Sequence, residues 1–239
     1  MTAVSPTRPT RALALLATAL LLAACSGAGN SGVPLPSIPS EAPATPTPEP
    51  TPPGPSYPPG CPTTQPASLA KDAAKLVTIV TPQGTVVIKV DGALAPIAGG
   101  NFVALAACGY YTNTVYFRTE PNALIQGGDG EFGRSPDVIP DLVGSGGPPY
   151  TIKDDPLTTG YTRGAVALSN AGPGTTKSQF FIVTKDFPPV AAQRTYPIIG
   201  HVVSGMDVVD AIALLPVGEG PGYVFNDPPV MTSVTVSNP

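Results

Sequence analysis

The chain has 239 residues, of which 42% are hydrophobic and only 12% are charged. This length allows one domain with a sizeable core beside additional segments. The 16 acidic residues outnumber the 12 basic ones, and the basic residues form no stripe that could neutralise phosphates, so nucleic acid is not an expected partner.

The first 24 residues have the features of an export leader. Arg8 and Arg11 form a basic start, and the apolar run Ala12–Ala24 ends directly before Cys25. A helix that spans a bilayer needs about 20 residues, so this run is too short to be a membrane anchor. The sequence therefore predicts a signal peptide over residues 1–24. An ordinary cleaved leader with an incidental cysteine is the alternative to the lipid-modified form considered next.

The segment Leu22–Cys25 resembles the bacterial lipobox, in which the cysteine is acylated and becomes the first residue of the mature protein. This resemblance implies a lipid on Cys25 and an extracytoplasmic protein that is anchored to the bacterial cell membrane through that lipid. Several acyl chains on one cysteine would give stable attachment, because each buried CH₂ contributes about 0.8 kcal/mol.

A proline-rich segment follows the leader. Residues 33–66 hold 14 of the 33 prolines of the chain, together with Thr, Ser, Glu and Gly. Such a composition cannot build a core and favours extended polyproline II. We therefore predict a disordered Pro/Thr-rich stalk over residues 25–67, and a folded domain over residues 68–239. A ligand for a proline-recognition domain is the competing interpretation of the same segment.

Short strand-like runs dominate the predicted domain. Eight runs have β-branched or alternating patterns: Leu76–Val80, Thr85–Val90, Val115–Arg118, Ala123–Gly127, Ala165–Ser169, Gln179–Thr184, Pro197–Val202 and Met231–Val236. Helical spacing is found from Pro96 to Cys108 and in Met206–Leu215. Many short strands with two isolated helices predict a closed antiparallel β-barrel with capping helices. The Gly, Pro and Asp-rich segment Gly127–Gly164 is predicted to form functional loops.

The three cysteines divide into one candidate for lipid and one possible pair. If Cys25 is acylated, Cys61 and Cys108 remain as an even number outside the reducing cytosol. A disulfide between them is one possibility, and two independent thiols are the other.

Several kinds of chemistry are poorly supported by the sequence. His201 is the only histidine and lies in a strand-like run, so histidine-based triads and zinc clusters lack their residues. The adjacent carboxylates Asp154 and Asp155 are interpreted as solvated or turn-forming charges. The glycine-rich runs lack the lysine and hydroxyl of a phosphate loop. The sequence therefore predicts neither a metal site nor a cofactor.

Two long motifs carry the strongest functional signal. Tyr116–Asp129 reads Y-F-R-T-E-P-N-A-L-I-Q-G-G-D and resembles the cyclophilin signature F-H-R-x-x-x-x-F-x-x-Q-G-G-D. Gly164–Pro173 and Ser178–Ile182 are similar to the second signature, G-x-x-x-M-A-N-A-G-P followed by S-Q-F-F-I. The resemblance extends over the domain from Leu76 onward. It implies the family's eight-stranded barrel capped by two helices and the activity of a peptidyl-prolyl cis-trans isomerase.

The same resemblance implies roles for individual residues. Arg118 matches the catalytic arginine, and Gln126 matches the glutamine that positions substrate. Positions that match substrate-binding residues of the family are Leu124, Ser169, Asn170, Ala171, Gln179, Phe181 and Tyr196. No cofactor is implied. The implied partners are unfolded or flexible polypeptides that contain proline, and the family precedent leads us to expect a monomer.

The chain also departs from the family pattern. Ala123 stands where the family has a phenylalanine that lines the proline pocket, so this pocket is expected to be wider, shallower or refilled by another side chain. Phe117 replaces a histidine, and Phe187 is a candidate for the remaining pocket wall. Ala123 therefore keeps a second hypothesis open, in which the domain binds proline-containing chains as a weak or inactive chaperone-like module.

Overall fold

The computed structural model describes residues 57–157, 159–186, 195–218, 222 and 224–239. Eight strands and two helices follow in the order β1 (Ala74–Thr81), β2 (Gly84–Asp91), α1 (Pro96–Ala107), β3 (Tyr116–Glu120), β4 (Leu124–Gly127), β5 (Ala165–Leu168), β6 (Phe180–Val183), β7 (Ile198–Ser204), α2 (Met206–Ala213) and β8 (Ser233–Ser237). Each element overlaps the run that predicts it. The signal peptide, Cys25, most of the predicted stalk and Phe187 lie outside the described residues.

The eight strands form a single antiparallel sheet in the order β3-β4-β6-β5-β7-β2-β1-β8. The sheet curls into a half-barrel, and within the described residues no ladder joins its edge strands β3 and β8. Hydrogen bonds instead join the start of β3 and the residues just before it to the segment before β8: Met231 N–H donates to Thr114 O at 2.7 Å, and Tyr116 N–H donates to Pro229 O at 3.0 Å. The half-barrel differs in this respect from the closed barrel that the sequence predicts.

Alternation along β5 and β6 separates two hydrophobic clusters, because successive strand residues face opposite sides of a sheet. Val166 and Leu168 of β5 and Phe180 and Ile182 of β6 belong to the main core, which α1 covers with Phe102 and Leu105. Their neighbours face the other side, where they form a second cluster with residues of β4 and β7. Its buried members are Leu124, Tyr161, Ala165, Ala167, Phe181, Val183 and Ile198. These strands are buried along their whole length because both faces are covered.

Asp155 joins a loop to the beginning of α1. Pro96 occupies the first turn, and the residue before it, Ala95, offers no side-chain cap. The carboxylate of Asp155 accepts a hydrogen bond of 2.7 Å from Ala98 N–H. Asp155 is buried, and this burial raises its pKa against the lowering effect of the helix N–H groups. The sequence-based interpretation of Asp155 as a solvated charge was therefore wrong, because it ignored the unsatisfied donors of a helix start.

The described part of the predicted stalk lies against the domain. Cys61 and Cys108 form a disulfide with a Cα–Cα distance of 5.2 Å. The ring of Tyr57 lies 5.7 Å from that of Tyr110, and its hydroxyl donates to Pro62 O. Gln65 accepts a hydrogen bond of 2.9 Å from Lys153 N–H. Packing thus begins upstream of the predicted boundary at residue 68, because the disulfide attaches this segment to the end of α1.

Among the described residues, neither α1 nor α2 nor any other helix is long and apolar enough to cross a membrane.

Candidate active site

Arg118 and Gln126 begin a row of residues that crosses four strands. Arg118 of β3 is paired with Gln126 of β4, Gln126 with Phe181 of β6, and Phe181 with Ala167 of β5. Residues directly opposite each other on neighbouring strands present their side chains to the same face. The sheet register therefore brings the predicted catalytic pair beside the predicted pocket floor, although these residues are up to 63 positions apart in the sequence.

A hydrogen bond at Nε fixes one side of the Arg118 guanidinium. Arg118 Nε donates a hydrogen bond of 2.8 Å to Gln126 Oε1. The Arg118 side chain is 29% exposed, and its Nη1 atom lies 3.9 Å from the carboxylate of Glu120, which is itself about half exposed. An ion pair at this distance and exposure contributes little. The fixed Nε and the partly exposed Nη groups together make a rigid cation that can offer N–H donors to a ligand.

A chain of amide hydrogen bonds fixes the orientation of Gln126. Its Nε2 donates to Gln179 Oε1 at 3.0 Å and lies 3.4 Å from Ser169 Oγ. Gln179 Nε2 in turn donates to Gly144 O at 2.9 Å and to Gly146 O at 3.0 Å. Each glutamine uses its oxygen as acceptor and its nitrogen as donor, so the hydrogen bonds all run in one direction from Arg118 to the Gly144 and Gly146 carbonyls. We refer to Arg118, Gln126 and Gln179 as the amide relay.

Asp129 anchors the far end of the amide relay, and the sequence analysis gave it no role. Its side chain is fully buried, and one carboxylate oxygen accepts hydrogen bonds from Gly144 N–H at 2.7 Å and Gly146 N–H at 2.9 Å. The other oxygen accepts from Glu131 and Phe132 N–H groups. A Cβ at Gly146 would lie 2.5 Å from this carboxylate, so the close approach requires glycine. The acid directly after two glycines was the signal that could have identified it.

An aromatic cluster lies on the same side of the sheet as the amide relay. The rings of Phe181 and Tyr196 meet edge to face with centroids 5.3 Å apart. The ring of Tyr161 lies 6.1 Å from Phe181 and 6.4 Å from Tyr196. Leu124 belongs to the same hydrophobic cluster, and Ala123 packs against it. This arrangement offers an apolar surface next to Arg118, as a site for a proline ring requires.

Tyr161 is the second residue that the sequence analysis missed. It lies within the predicted loop segment and outside both family motifs, so no motif pointed to it. It is buried, and this burial raises its pKa above the ordinary tyrosine value. A large aromatic residue in a Gly- and Thr-rich loop was the only signal available.

The remaining predicted binding residues line a recess beside the amide relay. The recess has a volume of about 430 Å³, and Ser169, Asn170 and Ala171 form one of its walls. Asn170 Nδ2 donates to Thr195 O at 3.0 Å, and Ala171 N–H donates to Thr175 Oγ1 at 2.9 Å. Within the described residues, no hydrogen bond occupies the backbone N–H or C=O of Asn170. That backbone can therefore pair with an extended peptide.

Within the described residues, no group of three or more His, Cys, Asp and Glu side chains is arranged to hold a metal ion. His201 lies on β7, where it is paired with Lys89 of β2 and Ala165 of β5, away from Arg118.

Comparison with known proteins gives a consistent result. The family model "Cyclophilin type peptidyl-prolyl cis-trans isomerase/CLD" matches residues 76–237. A curated relative, peptidyl-prolyl cis-trans isomerase-like 3 of Dictyostelium discoideum, is 32% identical over 148 residues, which cover 60% of this chain and 84% of the relative.

Solved structures agree with this result. A cyclophilin-type peptidyl-prolyl cis-trans isomerase of Cryptosporidium parvum is 28% identical with a TM-score of 0.57, covering 70% of this chain and 99% of that structure. A second crystal structure of that protein, obtained in the presence of the dipeptide Ala-Pro, is 26% identical over 69% of this chain and 99% of its own, also with a TM-score of 0.57.

Proposed function

Because the chain belongs to the cyclophilin family of peptidyl-prolyl cis-trans isomerases, we propose that it accelerates the rotation of X-Pro peptide bonds in exported proteins. The observation that carries the proposal is the hydrogen bond from Arg118 Nε to Gln126 Oε1, which fixes a permanently charged donor beside an aromatic pocket. Exported proteins fold outside the cell, where uncatalysed prolyl isomerisation takes tens to hundreds of seconds.

The chemistry requires only a positioned donor. The barrier to peptide-bond rotation is about 18–20 kcal/mol because the nitrogen lone pair is shared with the carbonyl group. A hydrogen bond from the Arg118 guanidinium to the prolyl nitrogen would localise that lone pair and weaken the double-bond character. This bond forms best when the nitrogen becomes pyramidal, so it stabilises the transition state more than the ground state. No nucleophile or acid-base pair takes part in the step.

The aromatic cluster would hold the ring while the bond rotates. Phe181 forms the floor, Leu124 and Tyr196 form walls, and the backbone of Asn170 would pair with the residue before proline. The structure of a related protein obtained in the presence of Ala-Pro supports a proline-containing ligand for this fold. The substrates we propose are unfolded or flexible polypeptides, and the isomerase is proposed to act as a monomer.

We also propose where the protein works. The leader over residues 1–24, the cysteine that follows it and the proline-rich stalk support an extracytoplasmic lipoprotein whose domain extends from a membrane. The disulfide between Cys61 and Cys108 supports an oxidising compartment. Replacing Cys25 by serine tests the lipid: the variant should leave the membrane fraction and lose the acyl mass, whereas a Cys25→Ser protein that stays membrane-bound would contradict the anchor.

Ala123 favours a second candidate function. The family pattern has a phenylalanine at this position, and an alanine removes aromatic surface from the pocket wall. A domain with weaker affinity for the ring could bind proline-containing chains without turning them over. This chaperone-like module shares every other feature of the site, so only kinetics can separate the two functions.

The decisive experiment follows cis-to-trans conversion of a proline tetrapeptide by the chain from residue 26 onward. We expect wild-type protein to accelerate conversion and Arg118→Ala to lower kcat/KM about 100-fold, as for the loss of one transition-state donor. Arg118→Lys keeps the charge without the planar fork, and it should retain more activity than Arg118→Ala. Circular dichroism serves as the control for folding. Folded wild-type protein that accelerates no peptide would leave the binding module as the better account.

A further inference from the structure

The hydroxyl of Tyr161 forms hydrogen bonds with both the backbone N–H and the backbone C=O of one pocket residue, Tyr196. It accepts a hydrogen bond of 2.9 Å from Tyr196 N–H and donates one of 3.0 Å to Tyr196 O. The two tyrosines are 35 positions apart, so the contact is made by the fold and not by local chain geometry. Two bonds through one atom restrain both the position and the rotation of the Tyr196 backbone.

Tyr196 needs such a restraint because, in the part of the chain that the structure describes, it belongs to no strand. It lies two residues before β7 begins at Ile198, and its side chain is only half-buried. Its ring nevertheless stands edge-on to Phe181 at an interplanar angle of 87°. The two hydrogen bonds to the Tyr161 hydroxyl restrain the backbone from which this ring projects.

The ring of Tyr161 also takes part in the aromatic cluster. It lies within 6.4 Å of both Phe181 and Tyr196, so the three rings form a closed triangle. Ala123, the position at which the motif lacks its aromatic residue, packs against the same hydrophobic cluster. Aromatic pairs at these centroid distances stabilise one another beyond the area that they bury. Tyr161 therefore supplies aromatic surface to a cluster that lacks the family's phenylalanine at position 123.

We propose that Tyr161 is a positioning residue of the proline pocket, which holds the Tyr196 ring against Phe181 and thereby determines the affinity for the prolyl ring. The proposal rests on the proposed isomerase function, because it assigns Tyr161 to the pocket of that site. Tyr161 acts through Tyr196 and Phe181, and it does not contact the rotating bond. It consequently affects how tightly substrate binds and leaves the donor chemistry of Arg118 unchanged.

The test compares Tyr161→Phe and Tyr161→Leu with a matched control. Tyr161→Phe removes the hydroxyl and keeps the ring, whereas Tyr161→Leu removes both. Tyr150→Phe is the control, because Tyr150 packs against the other hydrophobic cluster and its hydroxyl donates a hydrogen bond of 2.8 Å to Asn101. It reports the effect of losing a tyrosine hydroxyl bond without changing the pocket.

Steady-state kinetics on a proline tetrapeptide separate positioning from general stability. For Tyr161→Phe we expect KM to rise about three- to tenfold while kcat stays within about twofold, as the loss of two hydrogen bonds that restrain a binding wall predicts. Tyr161→Leu should raise KM further. Tyr150→Phe should leave both constants unchanged. An unchanged KM in folded Tyr161→Phe and Tyr161→Leu, or an equal rise in Tyr150→Phe, would overturn the proposal.

Failure of the isomerase function gives a different result. If wild-type protein accelerates no peptide, the dissociation constant for the same tetrapeptide, measured by NMR titration, replaces KM. Weaker binding by Tyr161→Phe, with Tyr150→Phe unchanged, would support the role of Tyr161 in a binding module. Equal binding by all variants, or no binding by wild-type protein, would reject it.

Discussion

Arg118 and Gln126 are directly opposite each other on β3 and β4, and the Nε–H of the arginine donates a hydrogen bond of 2.8 Å to Oε1 of the glutamine. The bond makes the direction of the guanidinium depend on the direction of the Gln126 amide. That amide is in turn fixed by Gln179, which is held by a loop that Asp129 anchors. The geometry of the proposed donor, Arg118, is thus determined by residues at successive steps away from it.

The amide relay predicts that substitutions lower kcat less the further they lie from Arg118. Gln126→Ala removes the acceptor for Arg118 and should lower kcat about tenfold, which corresponds to about 1.4 kcal/mol of transition-state stabilisation. Gln179→Ala is one step further from the donor and should have a smaller effect, about threefold, because Gln126 retains its bond to Arg118. Steady-state kinetics with both single variants test this order. A Gln179→Ala enzyme that is slower than Gln126→Ala would contradict the relay.

Ala123 provides a prediction about the affinity of the pocket for the prolyl ring. Ala123→Phe restores an aromatic residue beside the cluster of Phe181 and Tyr196, and aromatic pairs contribute about 0.5–1.5 kcal/mol. We expect KM to fall about two- to tenfold, with kcat changed by less than KM. Ala123→Leu, which adds apolar volume without an aromatic face, is the control. If both variants bind substrate no better than wild-type protein, aromatic surface at this position is not what limits affinity.

The disulfide between Cys61 and Cys108 predicts a large change in stability. It closes a loop across a separation of 47 residues, and in the chain-entropy description such a loop contributes about 4 kcal/mol to the free energy of unfolding. Reduction, or replacement of Cys61 by serine, should lower the midpoint of urea unfolding accordingly. Cys25→Ser is the matched control and should leave the midpoint unchanged. A midpoint that is insensitive to reductant would show that the bond does not stabilise the domain.

The Arg163–Asp210 pair predicts a dependence of stability on pH. Arg163 donates to both carboxylate oxygens of Asp210, and these hydrogen bonds lower the pKa of Asp210. A carboxyl with a lowered pKa stabilises the folded state above its unfolded value of about 3.9, and the contribution is lost as the pH falls through the lower folded value. The pair is exposed, so the effect is small.

The corresponding measurement is the melting temperature as a function of pH. At pH 7, Asp210→Asn should melt about 1–3 °C below wild-type protein. The difference should shrink as the pH falls from about 4 through the lowered pKa of folded Asp210, because the wild-type carboxyl is then protonated progressively. A constant difference from pH 7 to pH 2.5 would mean that the asparagine acts through packing and not through the lost charge.

The sequence predicted the strands and helices because their signals are local. β-branched runs and apolar spacing are determined by neighbouring residues, and the burial patterns of β1 and β2 follow them. The family motifs supplied Arg118, Gln126 and Phe181, and the sheet register places these three in one row. Whether the edge strands meet depends on the curl of the whole sheet, which no local pattern encodes.

The residues that were missed act over long distances in the chain. Tyr161 reaches Tyr196 across 35 positions, and Asp155 reaches the start of α1 across 57. In the sequence both look like ordinary loop residues, because the groups that they bind become neighbours only in the folded chain. Asp129 belongs to a motif, but only the structure shows that its carboxylate anchors a loop by accepting hydrogen bonds from four N–H groups. Sequence patterns thus identified the residues proposed to contact substrate better than the residues that hold them in place.

The disulfide also determines how tension would travel through the molecule. A pull on the chain upstream of residue 57 reaches Cys61 before any strand, and the covalent bond passes the force directly to Cys108. The loop between the two cysteines, which contains β1, β2 and α1, then lies outside the force path. The strands of this loop therefore cannot be unzipped from that end while the bond is intact.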